Sequence, residues 1–206
     1  MIGKINKQKS GCFLVLEKFS TAEINSDVLE KVLGVDIQKE SSSYTYSEFG
    51  PIRVIADLSR SLSLVLEPNR MRFEIDGGAE LTKDLMEMYL FKFLNYIQKE
   101  QGSTIKSFQF LEILGIHMEK RAQSVLLGTA FKGKGFDLEA YGAGIKSDAE
   151  EFYVDIHLSQ PDVTKKDLVA TFNISYKEDY QNKEDFCKKY RESLEYINHT
   201  IHKLLK

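Results

Sequence analysis

The sequence predicts an α+β fold, with antiparallel β-meanders packed against long helices, and three observations carry that expectation. Between residues 51 and 76, apolar and polar side chains alternate with period two in three short runs divided by turn residues. Residues 168–176 alternate just as regularly. Two stretches, 79–100 and 182–205, instead place apolar residues at helical spacing. With 206 residues and 42% hydrophobic content, the chain can bury roughly 70% of its unfolded surface. It therefore needs no disulfide or metal to fold. We expect one domain over 1–206, with sub-halves 1–102 and 103–206, because residues 101–104 are too short to act as a linker.

The elements follow in order. Gly11-Cys12-Phe13-Leu14-Val15-Leu16 sits behind Lys4, Lys7 and Lys9 and resembles a leader or a lipidated cysteine. In a lipoprotein the apolar stretch precedes the cysteine, and here it follows. It also breaks at Glu17-Lys18, too early to span a bilayer. Residues 12–19 are thus expected to form a buried strand. A short helix is expected from Ser26-Asp27-Val28-Leu29-Glu30, with the Asp27 carboxylate as cap and Gly34 as stop. Residues 35–43 look like a polar connection. Tyr44 and Tyr46 mark a further strand before the meander.

Within the meander, Val54, Ala56, Leu62, Leu64, Leu66, Met71, Phe73 and Ile75 fall on one face. Pro68-Asn69 suits a tight turn, and Ser59-Arg60 a second bend. Gly77-Gly78 ends the run. The helix after it is apolar nearly all round between Leu85 and Ile97, which a one-sided surface helix is not. Cover by its own chain is the preferred account. The sharper one gives it a second face on another subunit, through Met88 and Phe91, and so a homodimer. Beyond Gly102, Phe108, Phe110, Leu114, Ile116 and Met118 share one face of a long strand. Residues 124–131, 136–145, 151–158 and 168–176 supply more strands. Asn182 caps the closing helix, whose apolar face carries Phe186, Tyr190, Leu194, Ile197, Ile201 and Leu204. Each half thus reads as strand, meander, helix, although residue identities do not repeat.

Candidate chemistry is sparse. Gly128-Thr129-Ala130-Phe131-Lys132-Gly133-Lys134-Gly135 approaches a phosphate loop, but glycine replaces the final hydroxyl and a strand-like run follows where a helix is required. A lysine-rich hairpin accounts for it better. Glu192, Glu195, His199 and His202 share a helical stripe opposite Ile197 and Ile201, which makes them a solvated face before a metal site. Asp155 and His157 lie on one strand face and could orient a nucleophile such as Ser159; alternating surface polar residues give the same pattern. His117 is expected to be a satisfied strand residue. No cofactor is implied.

Charge narrows the partners. Lys and Arg number 28 against 31 Asp and Glu, leaving a net charge of -3 and no global excess to drive phosphate binding. Arg53, Arg60, Arg70 and Arg72 cluster in the meander and could grip an anionic partner. They alternate with Asp57, Glu67, Glu74 and Asp76, so internal pairing is preferred, and nucleic acid is disfavoured. Two unpaired cysteines, Cys12 and Cys187, suit a reducing cytoplasm. No membrane segment is expected. The favoured function is a non-catalytic protein that binds a protein partner or a small ligand. The alternatives are an enzyme built around Asp155 and His157 and a nucleic-acid module using the four arginines.

Overall fold

The computed structural model describes residues 2–34, 43–47, 50–59, 61–118, 142–160 and 167–204. The strands are β1 (Ile2–Glu17), β2 (Ser43–Ser47), β3 (Gly50–Asp57), β4 (Leu62–Glu67), β5 (Arg70–Asp76), β6 (Thr104–Met118), β7 (Gly142–Asp148), β8 (Phe152–Ser159) and β9 (Asp167–Tyr176). They join into a nine-stranded antiparallel sheet of order β2-β3-β4-β5-β1-β6-β9-β8-β7. The first strands of the two halves, β1 and β6, pair with each other at the centre. Each meander ends beside its own central strand, β5 against β1 and β9 against β6. An α+β fold with an antiparallel sheet is therefore established.

Helix α1 (Ser26–Leu33) is capped by Asn25, whose Oδ1 accepts from the Val28 N–H at 3.0 Å. The cap thus lies two residues before the expected Asp27, which sits in the first turn instead. Gly34 closes the helix in the left-handed region at φ 69°, where glycine carries no Cβ penalty. The central helical run is α2 (Lys83–Leu85), a π-helical turn (Met86–Leu90) and α3 (Phe91–Gln101). The closing helix is α4 (Lys183–Leu204), started by Asn182 accepting from the Asp185 N–H at 2.9 Å. Among the described residues no helix is long and apolar enough to cross a membrane.

Helices and strands share one core. Cys12, Leu14, Leu64, Phe73, Phe110, Phe172 and Ile174 meet Leu90, Phe93, Ile97, Phe186 and Ile201 in a single cluster. Aromatic edges organise its second half. Phe186 packs on Phe110 at 5.0 Å and Phe108 at 5.1 Å, and Tyr190 packs on Phe110 at 5.2 Å. The central helix meets α4 through Phe91 and Phe186, edge to face at 5.8 Å. This explains its all-round apolar character. Met86 also meets α4, its Sδ 4.0 Å from Cys187 Sγ, while Phe93 packs on Phe19, and Met86, Leu90, Phe91, Phe93, Leu94 and Ile97 are all buried.

β1 runs ten residues further toward the N-terminus than expected. A bulge at Gln8 hides it: Lys7 pairs with Leu114 and Lys9 with Ile113, so Gln8 is an extra residue on one side. The insertion moves Lys7 to the helix side and Lys9 to the other, which breaks the period-two pattern that sequence inspection relies on.

Candidate functional site

The helices cover one face of the sheet. On the other face stand Phe13, Val15, Ile55, Val65, Leu111, Ile113 and Val169, none of which belongs to the core cluster. Strand alternation puts them there, because each is out of phase with buried neighbours such as Leu14, Val54 and Phe110. Phe13, Leu111, Ile113 and Val169 fall on the adjacent strands β1, β6 and β9 and form a central apolar patch, half-buried by its own sheet.

Charged groups flank the patch. Glu74 is only 8% exposed although it lies on this face, because Lys9 at 3.1 Å and Arg72 at 3.6 Å close over its carboxylate. Lys9 also reaches Asp76 at 3.4 Å. Burial works against the Lys9 ammonium, but Glu74 and Asp76 outweigh it and raise its pKa. Between them Gly11 floors a hollow of about 260 Å³ lined by Phe13, Arg72, Glu74, Gln109, Leu111 and Asn173. A side chain would be crowded here. A Cβ would lie 3.0 Å from the Phe73 carbonyl oxygen and 3.2 Å from Glu74 Cγ.

Of the arginines expected to bind a partner, Arg53, Arg70 and Arg72 lie on this side of the molecule. Arg53 is exposed and its Nε contacts Glu67 Oε1 at 3.2 Å. Arg72 pairs with Glu74 as above, and Arg70 is exposed without an ion pair among the described residues. Arg60, the loop 128–135 with its glycines and lysines, and the strand candidate 124–131 lie outside the described residues, as does the candidate 136–145 up to residue 141, its remainder falling in β7. Asp155 and His157 share the helix-free face of β8, both exposed, and neither side chain is hydrogen-bonded to a described group. Asp155 borders a second hollow of about 430 Å³ with Lys146, Asp148 and Tyr153, the last 53% exposed. His117 is satisfied by Asp167, Nδ1 to Oδ1 at 2.8 Å, its register partner on β9. No described serine or cysteine is hydrogen-bonded to a histidine.

Elsewhere the expected residues separate. Met88 is 46% exposed in the π-helical turn, whereas Phe91 is 4% exposed and covered by α4, so it offers no binding surface. Glu195, His199 and His202 are exposed along α4, and among the described residues no group of His, Cys, Asp or Glu could hold a metal ion.

One feature escaped sequence inspection. Glu112, 1% exposed, faces the helices from the middle of β6, in phase with Phe110 and Leu114. Its Oε2 accepts from Ser10 Oγ at 2.9 Å and its Oε1 from Tyr190 OH at 3.0 Å, while Lys7 Nζ stands 3.6 Å away. Burial raises the Glu112 pKa against the opposing pull of Lys7, Ser10 and Tyr190. The signal was a carboxylate at a core position of an otherwise apolar strand.

No family model matches the chain, and no curated protein is significantly similar to it.

Proposed function

We propose that this chain is a non-catalytic binding protein and that the helix-free face of its sheet engages a protein partner. The observation that carries the reading is the central patch of Phe13, Leu111, Ile113 and Val169, uncovered by any described element and flanked by paired charges. An apolar centre inside a polar rim is the anatomy of a protein interface. The dimensions agree. Nine strands about 4.8 Å apart, over roughly eight residues at about 3.3 Å each, present on the order of 1,000 Å², above the ~800 Å² per partner of a standard interface. Asp155 and His157 are exposed on one strand face, and no described nucleophile is hydrogen-bonded to either. The buried, free thiols of Cys12 and Cys187 suit a reducing compartment such as the cytoplasm.

Capture of partners from native lysate tests this. Ile113→Asp places a charge in the patch without touching the core, and should abolish capture of a partner that Met88→Asp retains. Capture lost with Met88→Asp and kept with Ile113→Asp would overturn the proposal. Self-association is read in the same variants by sedimentation equilibrium; a homodimer sensitive only to Met88→Asp counts against the sheet face.

We also propose that the halves are a duplication. Supporting it are the central β1–β6 pair, the matching positions of β5 and β9, and a helix closing each half. A fragment of residues 1–102 should then self-associate through its unpaired β1 edge. A folded, strictly monomeric fragment would contradict this.

A further inference from the structure

Away from the central patch, toward the β7 edge of the same face, the register of the sheet sets polar side chains in two adjacent rows. Asp148, Tyr153 and Ser175 stand side by side across β7, β8 and β9, and Lys146, Asp155 and Asn173 form the next row. Strands about 4.8 Å apart give each row a span of roughly 10 Å. Both rows line the hollow of about 430 Å³, a volume within the range of small-molecule sites.

Tyr153 is 53% exposed, yet it is held. Lys177 Nζ stands 4.6 Å from the centre of its ring and is itself tied to Asp148 Oδ1 and, at 2.7 Å, to the Ala149 carbonyl. The Lys177 N–H donates to the Glu151 carbonyl at 3.1 Å, so this residue sits on one side of Tyr153 along the strand, whereas Asp155 and Asn173 sit on the other. Tyr153 lines the hollow and Lys177 does not, which leaves ring surface open to it. The second row is unengaged. Among the described residues the side chains of Lys146, Asp155 and Asn173 make no hydrogen bond or ion pair, although Lys146 and Asp155 are register partners.

We infer that this hollow binds one neutral sugar ring, free or at the end of a glycan, with its C–H face on Tyr153 and its hydroxyls on Lys146, Asp155 and Asn173. The chemistry selects it by elimination. An apolar ligand would strip water from three polar side chains and return no hydrogen bond. An ionised ligand would meet Lys146 and Asp155 together, one of them always of its own sign. A hydroxyl both donates and accepts, so neighbouring hydroxyls can donate to Asp155, accept from Lys146 and do both with Asn173. The C–H face of the sugar suits a tyrosine ring, whose face carries the negative end of its quadrupole. The site lies outside the patch of Phe13, Leu111, Ile113 and Val169 and does not rest on the protein-binding reading.

Titration of the nitrogen-15-labelled full chain with methyl β-glucoside, methyl β-galactoside and methyl α-mannoside, followed by NMR, tests it. At least one should bind in the millimolar range, with shifts confined to residues around 146–148, 153–155 and 173–175. Tyr153→Ala and Asp155→Ala should each weaken that glycoside about tenfold, and Tyr153→Phe should leave it unchanged. Cyclohexanol should bind more weakly than the glycoside, and neither glucuronate nor glucosamine more tightly. Tighter binding of the matching trisaccharide would mark a glycan end as the source, and equal affinity a free sugar. Ile113→Asp should change nothing. The inference is overturned if none of the glycosides binds, if Tyr153→Ala keeps full affinity, if a charged sugar is preferred, or if Ile113→Asp removes binding.

Discussion

Tyr190→Phe removes one oxygen from the interior and leaves the ring that packs on Phe110. In the wild-type chain that hydroxyl donates to Glu112 Oε1 at 3.0 Å, and Ser10 holds the other carboxylate oxygen at 2.9 Å. The cost depends on the charge of Glu112. A hydrogen bond to an ionised group contributes about 1.5–3 kcal/mol, and a neutral one about 1 kcal/mol. Burial raises the folded-state pKa of Glu112 above the ordinary 4.5. The native state therefore holds its proton more tightly than the unfolded chain, and ionising Glu112 as pH rises above 4.5 lowers stability until the folded pKa is passed. Tyr190 is one of the groups that restrain this shift. Removing it raises the Glu112 pKa further, so the variant loses more at high pH than at low. We expect a loss of about 1 kcal/mol on the acid side of the folded Glu112 titration and about 2 kcal/mol on its alkaline side, the latter lowering Tm by roughly 4–8 °C. Urea unfolding followed by circular dichroism over a series of pH values spanning that titration measures both. Equal losses, or none, would refute the argument, as would a pH dependence that persists in Glu112→Gln with Tyr190→Phe.

Two further expectations concern packing and surface charge. Phe186→Ala should cost about 3–5 kcal/mol in urea unfolding, since its fully buried ring meets Phe91, Phe108 and Phe110, whereas Met88→Ala at the exposed π-helical turn should stay within about 0.5 kcal/mol. Arg53→Ala and Arg72→Ala should each lower stability by less than about 1 kcal/mol while weakening partner capture; a large fall in melting temperature would make these arginines structural.

The parts of the fold that sequence inspection recovers are those with unbroken periodicity. β3, β4, β5, β9 and α4 follow from alternation or helical spacing, down to Asn182 as cap and Pro68-Asn69 as turn, where Asn69 adopts φ 58°. It fails where one residue shifts the phase. The Gln8 bulge concealed the first half of β1. Neighbours on two sides, α4 and Phe19, made the central helix apolar all round. Long-range pairing leaves no local trace either. Nothing near residue 2 or 118 announces that β1 and β6 form the sheet's centre, or that Lys7, Ser10, Glu112 and Tyr190 converge from three elements. The apolar residues of the helix-free face were overlooked for a related reason. Phe13, Leu111 and Ile113 alternate with core residues that, Glu112 apart, are also apolar, so alternation does not single out the uncovered face.

Photo-crosslinking inside native cells tests the central claim most directly, using a benzophenone side chain placed at Ile113, at Met88, or at Glu195 on the solvated side of α4. The account predicts a discrete crosslinked protein from position 113 and none from 88 or 195. Adducts from 88 or 195 with nothing from 113 would contradict it.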